Sequence, residues 1–163
     1  MTPVRVVFDC VVSLQAAVRE TGPAGACLLL AEAGDVELFL SRHITAELDA
    51  VLSRPAFRAK FPHLTGNDAI EFQNRLMRIA RFVDPVPPAI TLARDPKDSP
   101  YLDLSIAVKA HFLVTRDHDL LSIAAGPDPV SVNIRALCPE LLIVDPVQFL
   151  QLVRGRNQPG APV

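Results

Sequence analysis

The chain has 163 residues and a formal net charge of −2, and half of its residues are hydrophobic. This length fits one domain of average size, and the apolar content is enough for a substantial core, which excludes a largely disordered protein. The negative charge excludes binding of nucleic acid through bulk positive charge, so any attraction to phosphate has to be local.

The sequence shows no sign of membrane insertion or export. No stretch reaches the roughly 18 uninterrupted apolar residues of a membrane span, and the N-terminus enters an apolar strand directly rather than through a signal peptide. The cysteines Cys10, Cys27 and Cys138 lie in apolar surroundings without CxxC spacing, so neither a disulfide framework nor a zinc site is indicated. We therefore expect a cytoplasmic protein with reduced thiols and no membrane contact.

Apolar runs bounded by Gly, Pro and capping residues predict strands that alternate with helices. In chain order the predicted strands cover residues 4–9, 37–40, 112–115 and 141–144. The predicted helices cover residues 24–33, 42–53, 68–82, 99–109, 119–123 and 146–153. Connections are predicted over residues 54–66, 83–88 and 126–130, and a mobile tail rich in Pro and Gly over residues 155–163.

This alternation predicts an α/β fold in which a mostly parallel sheet has right-handed crossovers and helices on both faces. Residues 1–154 would form one domain, followed by the flexible tail of residues 155–163. In an open parallel sheet the C-terminal ends of the strands line one edge, and such folds bind their ligands there. Asp9 ends the first predicted strand, Asp117 closely follows the strand 112–115, and the two would share this edge.

Two further acids are predicted to lie near the same edge. Asp98 lies in the turn before the helix that leads towards Asp117, and Glu47 lies beside the apolar stripe of its helix, whereas Asp49 points away from that stripe. Carboxylates are preferred ligands of hard cations such as Mg²⁺, so gathered acids would form a metal site. Each acid could instead have an ordinary structural role. Asp9 could satisfy backbone donors at a strand end, and Asp98 could cap a helix. Glu47 could be a boundary residue of an amphipathic helix, and Asp117 could be a turn residue.

Local positive charge could come from two basic clusters. The second cluster repeats every three residues, which predicts that it follows one side of a helix. The simpler interpretation of such residues is a solvated surface. The clusters are Arg54, Arg58 and Lys60, and Arg75, Arg78 and Arg81.

Four segments of the chain occur in the order found in a known family. They are Val-Val-Phe-Asp ending at Asp9, Ser-x-x-Ile-x-x-Glu-Leu ending at Leu48, Arg-Asp-Pro-Lys-Asp at residues 94–98, and Leu-Val-Thr-Arg-Asp-x-Asp-Leu-Leu at residues 113–121. Over roughly residues 4–150 the chain resembles the PIN domain family, and specifically its branch of VapC-like toxins from toxin–antitoxin systems.

The resemblance implies a compact three-layer α/β/α fold and a ribonuclease that depends on Mg²⁺ or Mn²⁺. It also implies RNA as the substrate, and often a homodimer that a cognate antitoxin protein neutralises. Carried over by position, the catalytic metal-site acids are Asp9, Glu47, Asp98 and Asp117, with Asp119 as an accessory ligand. Crowded carboxylates repel one another, so their pKa values should be raised and metal binding should weaken as the pH falls.

One departure from the family concerns the residues after the first acid. The family usually continues with a Thr-Asn pair, whereas Cys10 and Val11 follow Asp9 here, which removes hydrogen-bonding capacity. A PIN-fold protein that binds RNA or a partner without cutting is therefore the main alternative. A metal-dependent phosphatase or a structure-specific DNA nuclease is a third possibility. Neither a Gly-x-Ser-x-Gly elbow nor a Gly-rich phosphate loop is present.

Overall fold

The structure, a computed structural model, describes residues 2–92 and 96–157. The described residues contain five strands: β1 (Val4–Phe8), β2 (Val36–Ser41), β3 (Arg81–Val83), β4 (Phe112–Val114) and β5 (Leu142–Val144). They form one parallel sheet in the order β3-β2-β1-β4-β5. The predicted α/β fold with a parallel central sheet is confirmed.

Helices flank this sheet; α2 packs against α1 and α9, and α3 packs against α1, α5 and α6. Phe149 of α9 meets the rings of Phe8 and Phe112 edge to face, so the apolar C-terminal segment contributes to the core. In the described residues the α-helices are α1 (Cys10–Val18), α2 (Pro23–Glu32), α3 (Arg42–Leu52), α4 (Pro55–Lys60), α5 (Gly66–Ile79), α6 (Ser99–Ala107), α7 (His118–Ala125), α8 (Pro129–Leu137) and α9 (Pro146–Arg156).

The central strands explain how the functional edge forms. Apart from Arg5, strands β1 and β4 are apolar, and they are largely buried because helices cover both faces of the sheet. Their register pairs Phe8 with Val114, so the residues that follow, Asp9 and Thr115, leave the sheet side by side. A hydrogen bond of 3.0 Å from the Asp9 N–H to the Val114 carbonyl extends this pairing past the end of β1.

Several helix boundaries differ from the prediction. Helix α1 occupies residues without a predicted element, α4 lies in the predicted connection 54–66, and α8 begins inside the predicted loop 126–130. Local start signals explain α4 and α8. Pro55 and Pro129 stand in the first turns of these two helices, and the Asp128 side chain caps α8 by accepting the Ser131 N–H. The predicted helix 68–82 ends earlier, at Ile79, and residues 81–83 form the edge strand β3 instead.

The second basic cluster does not follow one side of a helix. Arg81 lies in β3 rather than in α5, and its Nε is 2.8 Å from Glu37 Oε1. Arg75 pairs with Glu32 at 2.5 Å, so two of the three positive charges are matched by carboxylates. The predicted tail lies largely outside the described residues, although α9 extends to Arg156.

Candidate functional site

Asp9 is a buried carboxylate at the edge of the sheet, directly after β1. Only 4% of the residue is exposed. Its Oδ1 accepts the Val12 N–H at 2.8 Å, which caps α1, and its Oδ2 accepts the hydroxyl proton of Thr115. Burial raises the pKa of Asp9, and the negative charge of Asp117 adds to this effect, while hydrogen bonds to the carboxylate oppose it. A bound cation would therefore relieve an unfavourable charge.

Thr115 connects Asp9 with Asp117. Its buried hydroxyl donates to Asp9 and accepts the Asp117 N–H at 2.9 Å. Asp117 in turn caps α7, since its Oδ1 accepts the N–H groups of Asp119 at 2.8 Å and Leu120 at 3.1 Å. The structure thus brings Asp9 and Asp117 together at the end of two neighbouring strands, and each also has the structural role considered for it.

Glu47 is joined to the same edge through Tyr101. The Tyr101 hydroxyl donates to Glu47 Oε2 at 2.6 Å and accepts the N–H of Cys10, the residue after Asp9, at 3.1 Å. Burial and the Glu47 carboxylate raise the pKa of Tyr101 far above its ordinary value, so the phenol remains a donor. His43 Nε2 lies 3.4 Å from Glu47 Oε2. Glu47 is held on one side and keeps an exposed side-chain fraction of 40%.

Asp98 and Asp119 are less closely connected to Asp9 than Asp117 and Glu47 are. Asp98 is half-buried at the end of a 3₁₀ turn, Pro96–Asp98. It occupies the N-cap position of α6, as considered for it, but its side chain accepts no capping hydrogen bond from the helix. Helix α6 packs against β1 and β4. Asp119 is exposed in the first turn of α7. Arg94 and Asp95 of the family segment lie outside the described residues.

Within residues 2–92 and 96–157, no group of three or more His, Cys, Asp or Glu side chains is arranged to hold a metal ion. The five-acid site therefore stays a prediction, and Asp9 with Asp117 is the pair that the structure joins. Such a pair fits Mg²⁺, which keeps several waters and is commonly bound through one or two carboxylates plus substrate phosphate. Mn²⁺ accepts the same oxygen ligands.

Cys10 and Val11 replace the polar pair of the family in different ways. Burial, with the nearby charges of Glu47 and Asp9, raises the pKa of Cys10 to about 12, so its thiol stays neutral. Val11 points its side chain outward and is 46% exposed. The hydrogen bond at the Cys10 position is made by the backbone N–H to Tyr101, so the fold supplies a hydroxyl from α6 next to the substituted position.

Sequence reasoning assigned no role to Tyr101, Thr115 or His43. Thr115 could have been found from the strand register, because the residue opposite Asp9 in a parallel pair is its nearest neighbour at the edge. Tyr101 is the single tyrosine of the chain and follows Asp98 by three residues, a spacing that places two helical side chains on one face. His43 and Glu47 have the i, i+4 spacing of interacting helix residues.

Comparison with known proteins gives one result. A sequence model of the PIN domain family matches residues 5–119, which is more than half of the 163-residue chain and includes the five acids of the predicted site. No curated protein and no solved structure matches the chain. In the described residues, no helix is long and apolar enough to cross a membrane.

Proposed function

The chain belongs to the PIN domain family, whose members are typically metal-dependent nucleases, and from this premise we propose that it is an endoribonuclease dependent on Mg²⁺ or Mn²⁺. The observation that supports this proposal best is the buried Asp9 carboxylate, which Thr115 joins to Asp117 at the carboxyl edge of the sheet. A buried acid with a raised pKa beside a second acid is typical of functional sites rather than of strand ends.

The oxygen atoms at the acidic edge suggest a separate role for each residue in metal binding or in catalysis. Asp9 and Asp117 would hold the cation, and Thr115 would fix the Asp9 carboxylate through its hydroxyl. A divalent cation held there would lower the pKa of a bound water and stabilise negative charge on the phosphodiester. Glu47, oriented by Tyr101, would accept a hydrogen bond from the attacking water, and Asp98 at the start of α6 would hold further water ligands of the site.

The main alternative is a PIN-fold protein that binds RNA or a protein partner without cutting. It is favoured by the chemistry of residues 10 and 11, because the buried thiol of Cys10 and the apolar side chain of Val11 offer no polar group to a catalytic water. In this alternative the acids would still bind a cation, since Asp9 and Asp117 are unchanged. Metal binding alone therefore does not separate the two candidates, whereas cleavage does.

The direct test is cleavage of a labelled single-stranded RNA by the purified protein with Mn²⁺. Asp9→Asn and Asp98→Asn should abolish cleavage, and Asp49→Asn is the matched control because Asp49 is an exposed acid on the other side of α3. Cleavage that survives both Asp9→Asn and Asp98→Asn indicates a contaminant and refutes the proposal. Metal binding without cleavage supports the alternative, and equal cleavage of single-stranded DNA indicates a general nuclease.

We also propose that the protein is the toxin of a toxin–antitoxin system and forms a homodimer. This finer proposal rests on the likeness of the segments around Asp9, Asp98 and Asp117 to the toxin branch of the family. It predicts a coding region for a small antitoxin-like protein immediately upstream, growth arrest on expression of the chain alone, and rescue on co-expression of that partner. Light scattering after size exclusion gives the oligomeric state, and a monomer would contradict the homodimer.

A further inference from the structure

A groove of about 400 Å³ opens beside the acidic edge, and its walls come from α1, the start of α2, and the segment from Phe57 to Phe61. We call it the Phe57–Phe61 groove. Two of its lining residues are close neighbours of the acids in the chain, since Val11 lies two residues after Asp9 and Arg116 lies next to Asp117. Its volume is in the range of roughly 300–1,000 Å³ that small-molecule sites occupy.

The walls of the groove are aromatic and aliphatic. The rings of Phe57 and Phe61 have centroids 4.9 Å apart at an interplanar angle of 51°, and both side chains are half-buried. Val11 and Leu14 line the same groove, and Val11 is 46% exposed. Flat aromatic faces beside aliphatic side chains suit the face of a nucleobase, and stacking of this kind contributes about 1–3 kcal/mol for each base.

Two arginines give the groove a local positive charge. Arg19 and Arg116 line it, both are exposed, and neither forms an ion pair with the described residues. By contrast, Arg42 pairs with Asp84 and Arg81 pairs with Glu37. In a chain with a net charge of −2, unpaired arginines beside an apolar groove are complementary to a ligand that has both a flat apolar part and a negative charge.

Gln15 adds a polar group to the same wall. Its Oε1 is shielded from solvent and has no hydrogen-bond partner among the described residues. Rotation of the amide towards the groove therefore breaks no hydrogen bond of this oxygen. An amide offers both a donor and an acceptor, which matches the edge of a nucleobase better than it matches an apolar peptide side chain.

We propose that the Phe57–Phe61 groove holds an unpaired nucleotide of the RNA substrate, next to the phosphate that lies at the acidic edge. This inference rests on the proposed nuclease function. The base contacts Phe57, Phe61 and Val11, its edge faces Gln15, and the adjoining phosphates contact Arg116 and Arg19. Because a base in a duplex is not free to enter the groove, the protein binds single-stranded RNA in preference to double-stranded RNA.

The test measures binding of a short fluorescent oligouridylate by anisotropy, with EDTA present so that no cutting occurs. Phe57→Leu keeps apolar volume but removes the ring, and we expect affinity to fall roughly 5- to 150-fold, as the loss of one stacked base implies. Arg116→Ala truncates an exposed side chain that forms no ion pair with the described residues. This substitution should weaken binding. It should also reduce the slope of log K against log salt concentration by about 0.7, the contribution of one phosphate contact on a single strand.

Matched controls come from outside the groove. Phe82→Ala removes a ring that is 44% exposed on β3, and Arg78→Ala removes an exposed arginine on α5; both should bind like the wild type. Unchanged affinity in both Phe57→Leu and Arg116→Ala overturns the inference, whether or not the protein cuts RNA. Equal affinity for a blunt RNA duplex also overturns it. Loss of binding in these variants supports it even if cleavage is never found.

Discussion

Replacing Tyr101 with phenylalanine removes one oxygen atom that joins two parts of the acidic edge. That oxygen accepts the buried Cys10 N–H at 3.1 Å and donates to Glu47 at 2.6 Å. The ring remains and keeps its packing between α6 and α3, so the change tests the hydroxyl alone. We expect both lower stability and a lower rate of cleavage, for different reasons.

The loss of stability comes from the Cys10 N–H. A buried donor without a partner costs about 1–3 kcal/mol, and this N–H lies in the first turn of α1, where no helical partner replaces Tyr101. The lost hydrogen bond to Glu47 adds little to this loss of stability, because the Glu47 side chain is 40% exposed and water can replace the phenol. The midpoint of thermal unfolding should fall by about 2–4 °C for each kcal/mol in a protein of this size.

The loss of activity comes from Glu47, which is no longer held in one orientation. Small errors in the position of a catalytic group are enough for a loss of roughly 10- to 100-fold, and this loss should appear in kcat while KM changes little. A double-mutant cycle with Glu47→Gln measures the coupling, because Tyr101→Phe should lower kcat little further once the Glu47 carboxylate is absent.

Ser105→Ala provides the matched control for this experiment. It removes another buried hydroxyl of α6, which donates to the Tyr101 carbonyl at 2.8 Å and does not contact Glu47. We expect the control to keep the wild-type kcat. Wild-type stability together with wild-type kcat in Tyr101→Phe would refute the assigned role of the hydroxyl.

Three further predictions concern the acidic edge. Burial raises the pKa of Asp9 above its unfolded value, so the contribution of Asp9 to stability falls as the pH rises through the folded pKa. The substitution Asp9→Asn should therefore raise the melting temperature of the metal-free protein at about pH 8. The same substitution should abolish the stabilisation of the protein by Mn²⁺. Thr115→Val leaves Asp9 Oδ2 and the Asp117 N–H without their partner and should cost about 1–3 kcal/mol for each group in urea unfolding. Mn²⁺ affinity measured by calorimetry should weaken from about pH 8 to about pH 5.5, because protons compete for the carboxylates; constant affinity would contradict the clustered acids.

Much of the fold could be predicted because its strands are short apolar runs with clear boundaries. Residues 4–8 and 112–114 form strands as expected, and their parallel pairing explains why Asp9 and Asp117 meet at one edge. Helix α1 could not be recognised as easily, since its residues are almost uniformly apolar and lack the alternation of an amphipathic helix. The cap that starts this helix is Asp9, which the sequence pattern predicts as a metal ligand or a strand end.

The positions of Asp9 and Asp117 at the sheet edge were predictable, but the hydroxyls that contact the acids were not. Asp9 and Asp117 follow apolar strands, a pattern visible in the sequence. Tyr101 contacts Cys10, which is 91 positions away in the chain, and Thr115 contacts Asp9, which is 106 positions away. A local sequence pattern cannot predict contacts between residues so far apart. The pKa expectation was right for Asp9 in direction, but its main cause is burial, with the charge of Asp117 only adding to it.

The central claim is that Asp9 and Asp117 form one cation site, and calorimetric titration of the wild type with Mn²⁺ tests it most directly. We predict binding that is lost in Asp9→Asn and strongly weakened in Asp117→Asn, whereas Asp49→Asn, with its exposed acid on the same helix as Glu47, binds like the wild type. Mn²⁺ affinity that is unchanged in both Asp9→Asn and Asp117→Asn would contradict the account.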